Sequence, residues 1–552
     1  MNFRLVIHYL STVCFLIAAA MAFSLPWASP ALSGTPEFER RGFMSLVVSI
    51  GVSLLCALAL RLIGHKGEGH QLFRREAMAV VGLSWVLATL LGALPYAISG
   101  TARGLDAEGQ PEPMNVSDWL FESQSGFSTT GATVLKDVEN PQLVPRCILF
   151  WRSSTQFLGG LGIIVLFVAV LGQGSAGKAL MRNEMPGPSK AGSQVRMQHT
   201  AWAFVAIYVV LIAVLAVLLL FGGLSLFDAL CFSFATLATG GFSTYNASVG
   251  HFALHPELYD ALWIETMILI FMILGGTNFT LLYFVAIGRG LRLLTDTEWR
   301  TYMAIIVAAS LAIMIFGLLS DDFTPPSQAE VATGSPVAPQ DPVKPPLPQR
   351  LGQAARYSTF QVVSILTTTG YATHDFNRWD HFSRGLLFLL MFVGGCAGST
   401  AGGIKVIRHV MFVKILRLEV EQAYRPNVVR PLRIGGEPVE DRDLRKSILV
   451  YFCLVLTIFV FSWVFLITVE PDLTWETGRE GSNVENKLID SATAIAITLN
   501  NVGPGLGTIG ATENFAHFSQ PSKLLFVLLM MLGRLEIFPI LVLMVPQFWR
   551  SY

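Results

Sequence analysis

Charge is what this chain has least of. Only 14% of its 552 residues are Asp, Glu, Lys or Arg, and 38 cationic side chains balance 38 anionic ones. A charge-poor, neutral chain offers no electrostatic footprint for nucleic acid, so no nucleic-acid partner is expected. The six cysteines (Cys14, Cys56, Cys147, Cys231, Cys396, Cys453) are scattered, with no Cys-x-x-Cys spacing. That pattern points to free buried thiols and away from disulfides or a zinc site. Gly172-Gln-Gly-Ser-Ala-Gly-Lys-Ala179 nearly spells a P-loop. However, Ala179 stands where magnesium binding needs Ser or Thr, and an apolar span precedes the motif in place of a strand. Ser399 lacks the glycine two positions earlier that a nucleophile elbow requires; Ala397 is there. No His-Glu-x-x-His occurs either. The chain has no constellation for catalysis and reads as a non-enzyme without a bound cofactor.

What it has in abundance is apolar sequence, 53% of all residues. Runs of about twenty apolar residues recur, each long enough to cross ~30 Å of hydrocarbon. This predicts an all-α polytopic membrane protein in contact with lipid. Spans are expected at 1–27 and 42–63, then at 77–99, 146–171, 201–223, 259–287, 302–320, 385–415, 447–469 and 523–546. The basic links (Lys66, Arg74 and Arg75; Lys178, Arg182, Lys190 and Arg196; Arg289, Arg292 and Arg300; Arg417, Arg425, Arg430 and Arg433) all fall on one side. By the positive-inside rule that side is cytoplasmic, and so are both termini. The acidic, Pro-rich stretch 321–353 reads as a disordered external loop.

Four short stretches between these spans share one grammar. They centre on Gly131, Gly241, Gly370 and Gly503. Two residues earlier stand Thr129, Thr239, Thr368 and Asn501, and one earlier Thr130, Gly240, Thr369 and Val502. Four earlier stand Phe127, Leu237, Leu366 and Leu499; thirteen earlier, Asp118, Asp228, Tyr357 and Asp490. Such an internal repeat governs the reading of the whole chain. The acid predicts a capped helix start, and the Phe/Leu position a helix end aimed at the Thr-x-Gly loop. Glycine frees the backbone there, so successive carbonyls can replace water around a dehydrated cation. Each re-entrant segment (117–135, 227–244, 355–373, 488–506) is too short to span, and must be covered by protein or water. The predicted architecture is a two-helix prefix (1–70) and four span–loop–span repeats (71–199, 200–298, 299–445, 446–552) around one pseudo-fourfold pore.

The closing spans align too. Gly159-Gly160, Gly275-Gly276 and Gly394-Gly395 stand at comparable depth, and Gly533-Arg534 is the fourth pair. Arg534 costs roughly 2.5–3.5 kcal/mol at mid-span and needs a partner or a cavity. It reads either as a fixed positive charge facing the pore or as a helix-packing arginine paired with an acid. The third closing span carries Gly394, Gly395, Gly398, Ser399, Thr400, Gly402 and Gly403 within ten residues. This is either a flexible gating loop below the filter or a small-residue packing surface.

In combination, the four loops, the glycine-rich segment and Arg534 make the chain resemble the Trk/Ktr/HKT superfamily of cation transporters, and the two-span prefix resembles the membrane subunits of bacterial Trk systems. The resemblance implies potassium (K+) as transported ion, with Gly131, Gly241, Gly370 and Gly503 at the filter, 394–403 as the gating loop, and Arg534 in the constriction. It further implies the bacterial cytoplasmic membrane, a homodimer, and a cytosolic nucleotide-binding regulatory ring of the TrkA type. Within the superfamily a serine at the first filter position accompanies sodium preference, and Gly131 holds that place here. A sodium-permeable or ion-coupled transporter remains an alternative, as does an organic-solute transporter on inverted repeats. Tyr357 departs from the acid pattern and leaves the third helix start unexplained.

Overall fold

The computed structural model describes residues 1–64, 73–106, 108–171, 194–320, 322–323, 346–426, 432–434, 437–439, 442–472, 475 and 486–550. The P-loop-like stretch, Lys66, Lys178, Arg182, Lys190, Arg430 and most of the Pro-rich stretch lie outside these residues.

The prefix is two antiparallel helices, α1 (Phe3–Ala22) and α2 (Arg40–Gly64). Asn2 caps α1 by accepting the Leu5 N–H. Leu55, Leu58 and Leu62 stay exposed on α2, as a face turned to hydrocarbon requires. Repeat 1 comprises α3 (Arg74–Ser99), α4 (Val116–Phe127) and α5 (Arg146–Leu171). Repeat 2 comprises α6 (Gln194–Phe221), α7 (Leu226–Leu237) and the pair α8 (Ala261–Gly275) and α9 (Phe279–Ala286). Repeat 3 has α10 (Thr297–Leu319), α11 (Leu347–Leu366), α12 (His381–Leu390) and α13 (Val406–Tyr424). Repeat 4 has α14 (Arg442–Val469), α15 (Lys487–Asn500), α16 (Gln520–Arg534) and α17 (Phe538–Leu543).

Among the described residues, six helices are long and apolar enough to cross a membrane, and α8 with α9, bent by 108° at their break, are so only as a pair. Three closing spans break at or just after the aligned glycine position. In repeat 2 the break is Gly276–Asn278, in repeat 3 it is 391–405, and in repeat 4 it follows Arg534. Only repeat 1 keeps its closing helix unbroken through Gly159-Gly160. After Arg534 the backbone turns through positive φ at Glu536 (53°) and Ile537 (70°), a conformation unfavourable to a β-branched residue.

The short helices α4, α7 and α15 bury almost every side chain although they carry Ser, Thr, Gln and Asn. They therefore lie inside the ring formed by the spans. Two expectations need correction here. The acids thirteen residues before the glycines do not cap by themselves. Asp118 and Asp228 stand at the third helical position, where Asn115 and Ser225 are the caps, and Asp118 returns the bond to the Asn115 N–H at 3.0 Å. The helix holding Tyr357 has no start there at all. It begins ten residues earlier at Leu347, within the stretch expected to be a disordered loop.

Candidate ion pathway

The four Thr-x-Gly loops are built alike down to single hydrogen bonds. Thr129, Thr239, Thr368 and Asn501 have φ of 53°, 54°, 57° and 56°, the left-handed conformation that normally calls for glycine at a helix end. The next residue then reaches back over the last helical turn. Thr130 donates to Ser125, Gly240 to Ala235, Thr369 to Ser364 and Val502 to Ile497, all at 2.8–2.9 Å. The glycines return to positive φ: 82° at Gly131, 74° at Gly241, 85° at Gly370 and 106° at Gly503. Two positive φ angles one residue apart in each loop are strained for the non-glycine position, and strain of this kind concentrates at functional sites.

The loops meet in a closed ring. A methyl group on Gly131 would run into the carbonyl oxygen of Gly240, one on Gly241 into Thr369, and one on Gly370 into Val502. Closing the circle, a methyl on Gly503 would lie 2.8 Å from the Thr130 oxygen. All four glycines line a single cavity, shared with Lys136, Tyr245 and Glu513.

Behind the ring, side chains tie each loop's outer limb to its own helix. Buried Glu122 accepts from Val134 N–H (3.0 Å) and the Thr133 hydroxyl, and pairs with buried Arg152 at 2.6 Å. Arg152 also donates to the Ser243 carbonyl (3.0 Å) and lies 3.4 Å over the Phe242 ring, joining repeat 1 to repeat 2. Gln156 brackets the second loop, donating to Gly240 and accepting from Phe242 N–H. Asp228 holds Thr244, and Asp490 holds Thr508. Sequence reasoning missed Glu122, Arg152 and Gln156. Their signal was present as polar and charged groups inside apolar segments, which are rare unless they do something.

Beneath the ring, the glycine-rich segment and Arg534 come together. The Thr400 hydroxyl donates to the carbonyls of Leu237 (2.7 Å) and Gly275 (3.0 Å). Gly402 N–H donates to the Thr368 hydroxyl at 2.7 Å, so the segment touches the third Thr-x-Gly loop directly. The main chains of Gly394 and Gly395 pair with Ile404 and Val406, and Gly398 accepts from Phe279 N–H. Gly398 and Gly403 have positive φ, 70° and 67°. Ser399 closes a turn onto the Cys396 carbonyl. Arg534 is buried and donates to the carbonyls of Thr400 (2.7 Å) and Gly159 (2.9 Å). The aligned glycines explain the close approach: a methyl on Gly159 or Gly533 would strike the carbonyl of Phe127 or Leu499. Glu536 does not follow Arg534 inward and pairs with Arg408. Lys405 and Arg408, just after the glycine-rich segment, are buried. His251 is half-buried and stacked 3.8 Å from the Tyr245 ring.

Taken together, these features define a multi-pass helical membrane protein whose four span–loop–span repeats surround one pseudo-fourfold pore. The model of a family described as TrkH, cation transport protein, matches residues 65–551. The chain is 34% identical to the Trk system potassium uptake protein TrkH of Salmonella typhimurium, with 88% of each chain covered. It is 32% identical to TrkH of Halomonas elongata, over 96% of this chain and 97% of that one. The crystal structure of the potassium transporter TrkH from Vibrio parahaemolyticus superposes with a TM-score of 0.78 at 29% identity, covering 100% of both chains. The chain belongs to the TrkH family of cation transport proteins, a family of transporters and not of enzymes.

Proposed function

We propose that this chain carries potassium into the cell through its single pore, with the four loops as filter and the segment 394–403 as gate. The observation that carries the reading is the closed ring in which each filter glycine abuts the carbonyl preceding the next. The alternation of φ at Thr-x-Gly turns neighbouring carbonyls to a common side, where they replace the hydration shell of a cation. Thr129, Thr130, Thr239, Thr368, Thr369 and Asn501 belong to the same filter, where the Thr130 and Thr369 hydroxyls brace the loops through Ser128 and Thr367. Arg534 sets a fixed positive charge beneath it, which discourages a cation from resting there. The segment 394–403 occludes the path and must move for conduction. The relatives are potassium uptake proteins by name, which supports the choice of ion. Those names also speak of a Trk system, in keeping with a cytosolic nucleotide-binding regulatory subunit, a homodimer and a place in the bacterial inner membrane with both termini cytoplasmic.

The test is rubidium uptake into proteoliposomes, with sodium and lithium as competitors, beside Gly370→Ser and a deletion of 396–401. Potassium-selective flux that Gly370→Ser relaxes and the deletion raises is the expected result. Flux without ion preference would overturn the filter, and flux indifferent to the deletion would overturn the gate.

A further inference from the structure

We propose that Glu298 is the latch of the segment 394–403: a positioning residue that holds the gate shut without touching the ion. The proposal rests on reading that segment as the gate. Glu298 stands in the first turn of α10 and is buried. One of its carboxylate oxygens, Oε1, accepts from the Ala397 N–H at 2.7 Å and from the Ile407 N–H at 3.1 Å. A single acceptor thus draws together two main-chain donors on either side of the crossing that meets the filter.

The residues between those donors make the contacts with the pore. They include Thr400, bonded to Leu237, Gly275 and Arg534, and Gly402, bonded to Thr368. Left-handed glycines, Gly398 and Gly403, stand at each end of this crossing and supply the freedom to swing. Inside the crossing Lys405 donates to the Ala401 carbonyl, whereas the tie at the base gathers two main-chain N–H groups from either side of the crossing onto one carboxylate oxygen of α10. Loss of the carboxylate would also leave two buried N–H groups without their acceptor, which favours a conformation that exposes them. The closed position of the crossing is therefore set at its base, by α10, and not only at the filter.

Cys396 reports on the latch in the native chain. It lies one residue before Ala397 and is fully buried. The experiment is the rate of modification of Cys396 by a membrane-impermeant maleimide, located by mass spectrometry, together with rubidium flux. Cys147, fully buried elsewhere, is the control for general unfolding. Glu298→Ala should raise Cys396 modification and basal flux about tenfold, the scale of leaving buried donors without their acceptor. Cys147 should stay protected and potassium-over-sodium preference unchanged. Glu298→Gln keeps an acceptor oxygen at full reach and should raise both less than Glu298→Asp, whose carboxylate stops one methylene short. If Glu298→Ala does not reach the membrane, the order of Asp above Gln decides the matter. Equal modification and flux in the parent and all variants, with the 396–401 deletion still raising flux, would overturn the latch and leave the gate standing. A deletion without effect would overturn the gate, and the latch with it.

Discussion

Gly241 and Arg152 are two residues of one wall, and they fail in different ways. At Gly241 an added methyl meets the Thr369 carbonyl, and the φ of 74° is itself worth about 1–2 kcal/mol against any other residue. Relief requires the second and third loops to part, which changes the spacing of the ring. Gly241→Ala is expected to cut rubidium uptake more than tenfold while the protein still reaches the membrane at parental levels. Arg152 is buried against Glu122, the Ser243 carbonyl and Phe242. Removing one partner of a buried ion pair costs roughly 3–5 kcal/mol, because the other charge is left without compensation. Arg152→Met should therefore lower the denaturation midpoint sharply in detergent, and Glu122→Gln added to it should restore part of the loss. Losses that simply add would show that the two side chains act independently. The aligned glycines were legible because backbone demand is written into residue type. The pair Glu122 and Arg152 was not, because nothing local announces which charges 30 residues apart will meet.

The closing helix of repeat 1 shows how an element is placed by its small residues. Gly159 and Gly162 lie on the same helix, yet only Gly159 is pressed against the end of α4. An added methyl there meets the Phe127 carbonyl, and at Gly162 it meets nothing within 4 Å. Gly159→Ala should push α5 off the pore helix and depress both thermal stability and uptake. Gly162→Ala should leave both unchanged or raise stability by up to about 1 kcal/mol, the helix propensity gained. The outer cap of repeat 2 carries a pH dependence of its own. Burial against Tyr245 pushes the His251 imidazole below its usual range, with His255 adding to the effect and Glu139 and Asp228 opposing it. The folded state then binds the proton less readily than the unfolded chain. Its contribution is present above the ordinary histidine range and is lost as pH falls through it. Melting temperature should fall between pH 7.5 and 5, and His251→Phe should shrink that fall. Helix starts were the least legible elements. The Pro-rich stretch before Tyr357 hid the start of α11, because proline also serves in a first helical turn.

At the scale of the molecule, the four repeats close a ring whose last seam joins segments at opposite ends of the chain. Lys523 of α16 reaches Asp118 of α4 at 2.6 Å, and Asn501 reaches the Thr130 hydroxyl at 2.9 Å. The pattern of four loops was legible because each repeats the same short-range grammar, whereas the contacts that seal them span hundreds of residues. A ring of this kind has one orientation. All four loops must enter from the same side of the membrane, since each loop glycine meets the next loop and all four open on one cavity. Inverted repeats would instead send two loops in from each face. One exposed or half-exposed position near each loop distinguishes the cases: Lys136, Asn246, Arg378 and Thr512. Cysteine placed singly at each should react with an impermeant maleimide added outside whole cells, and Arg425→Cys should react only after the membrane is permeabilised. Two loops labelled from each face would break the ring apart, and the common filter with it.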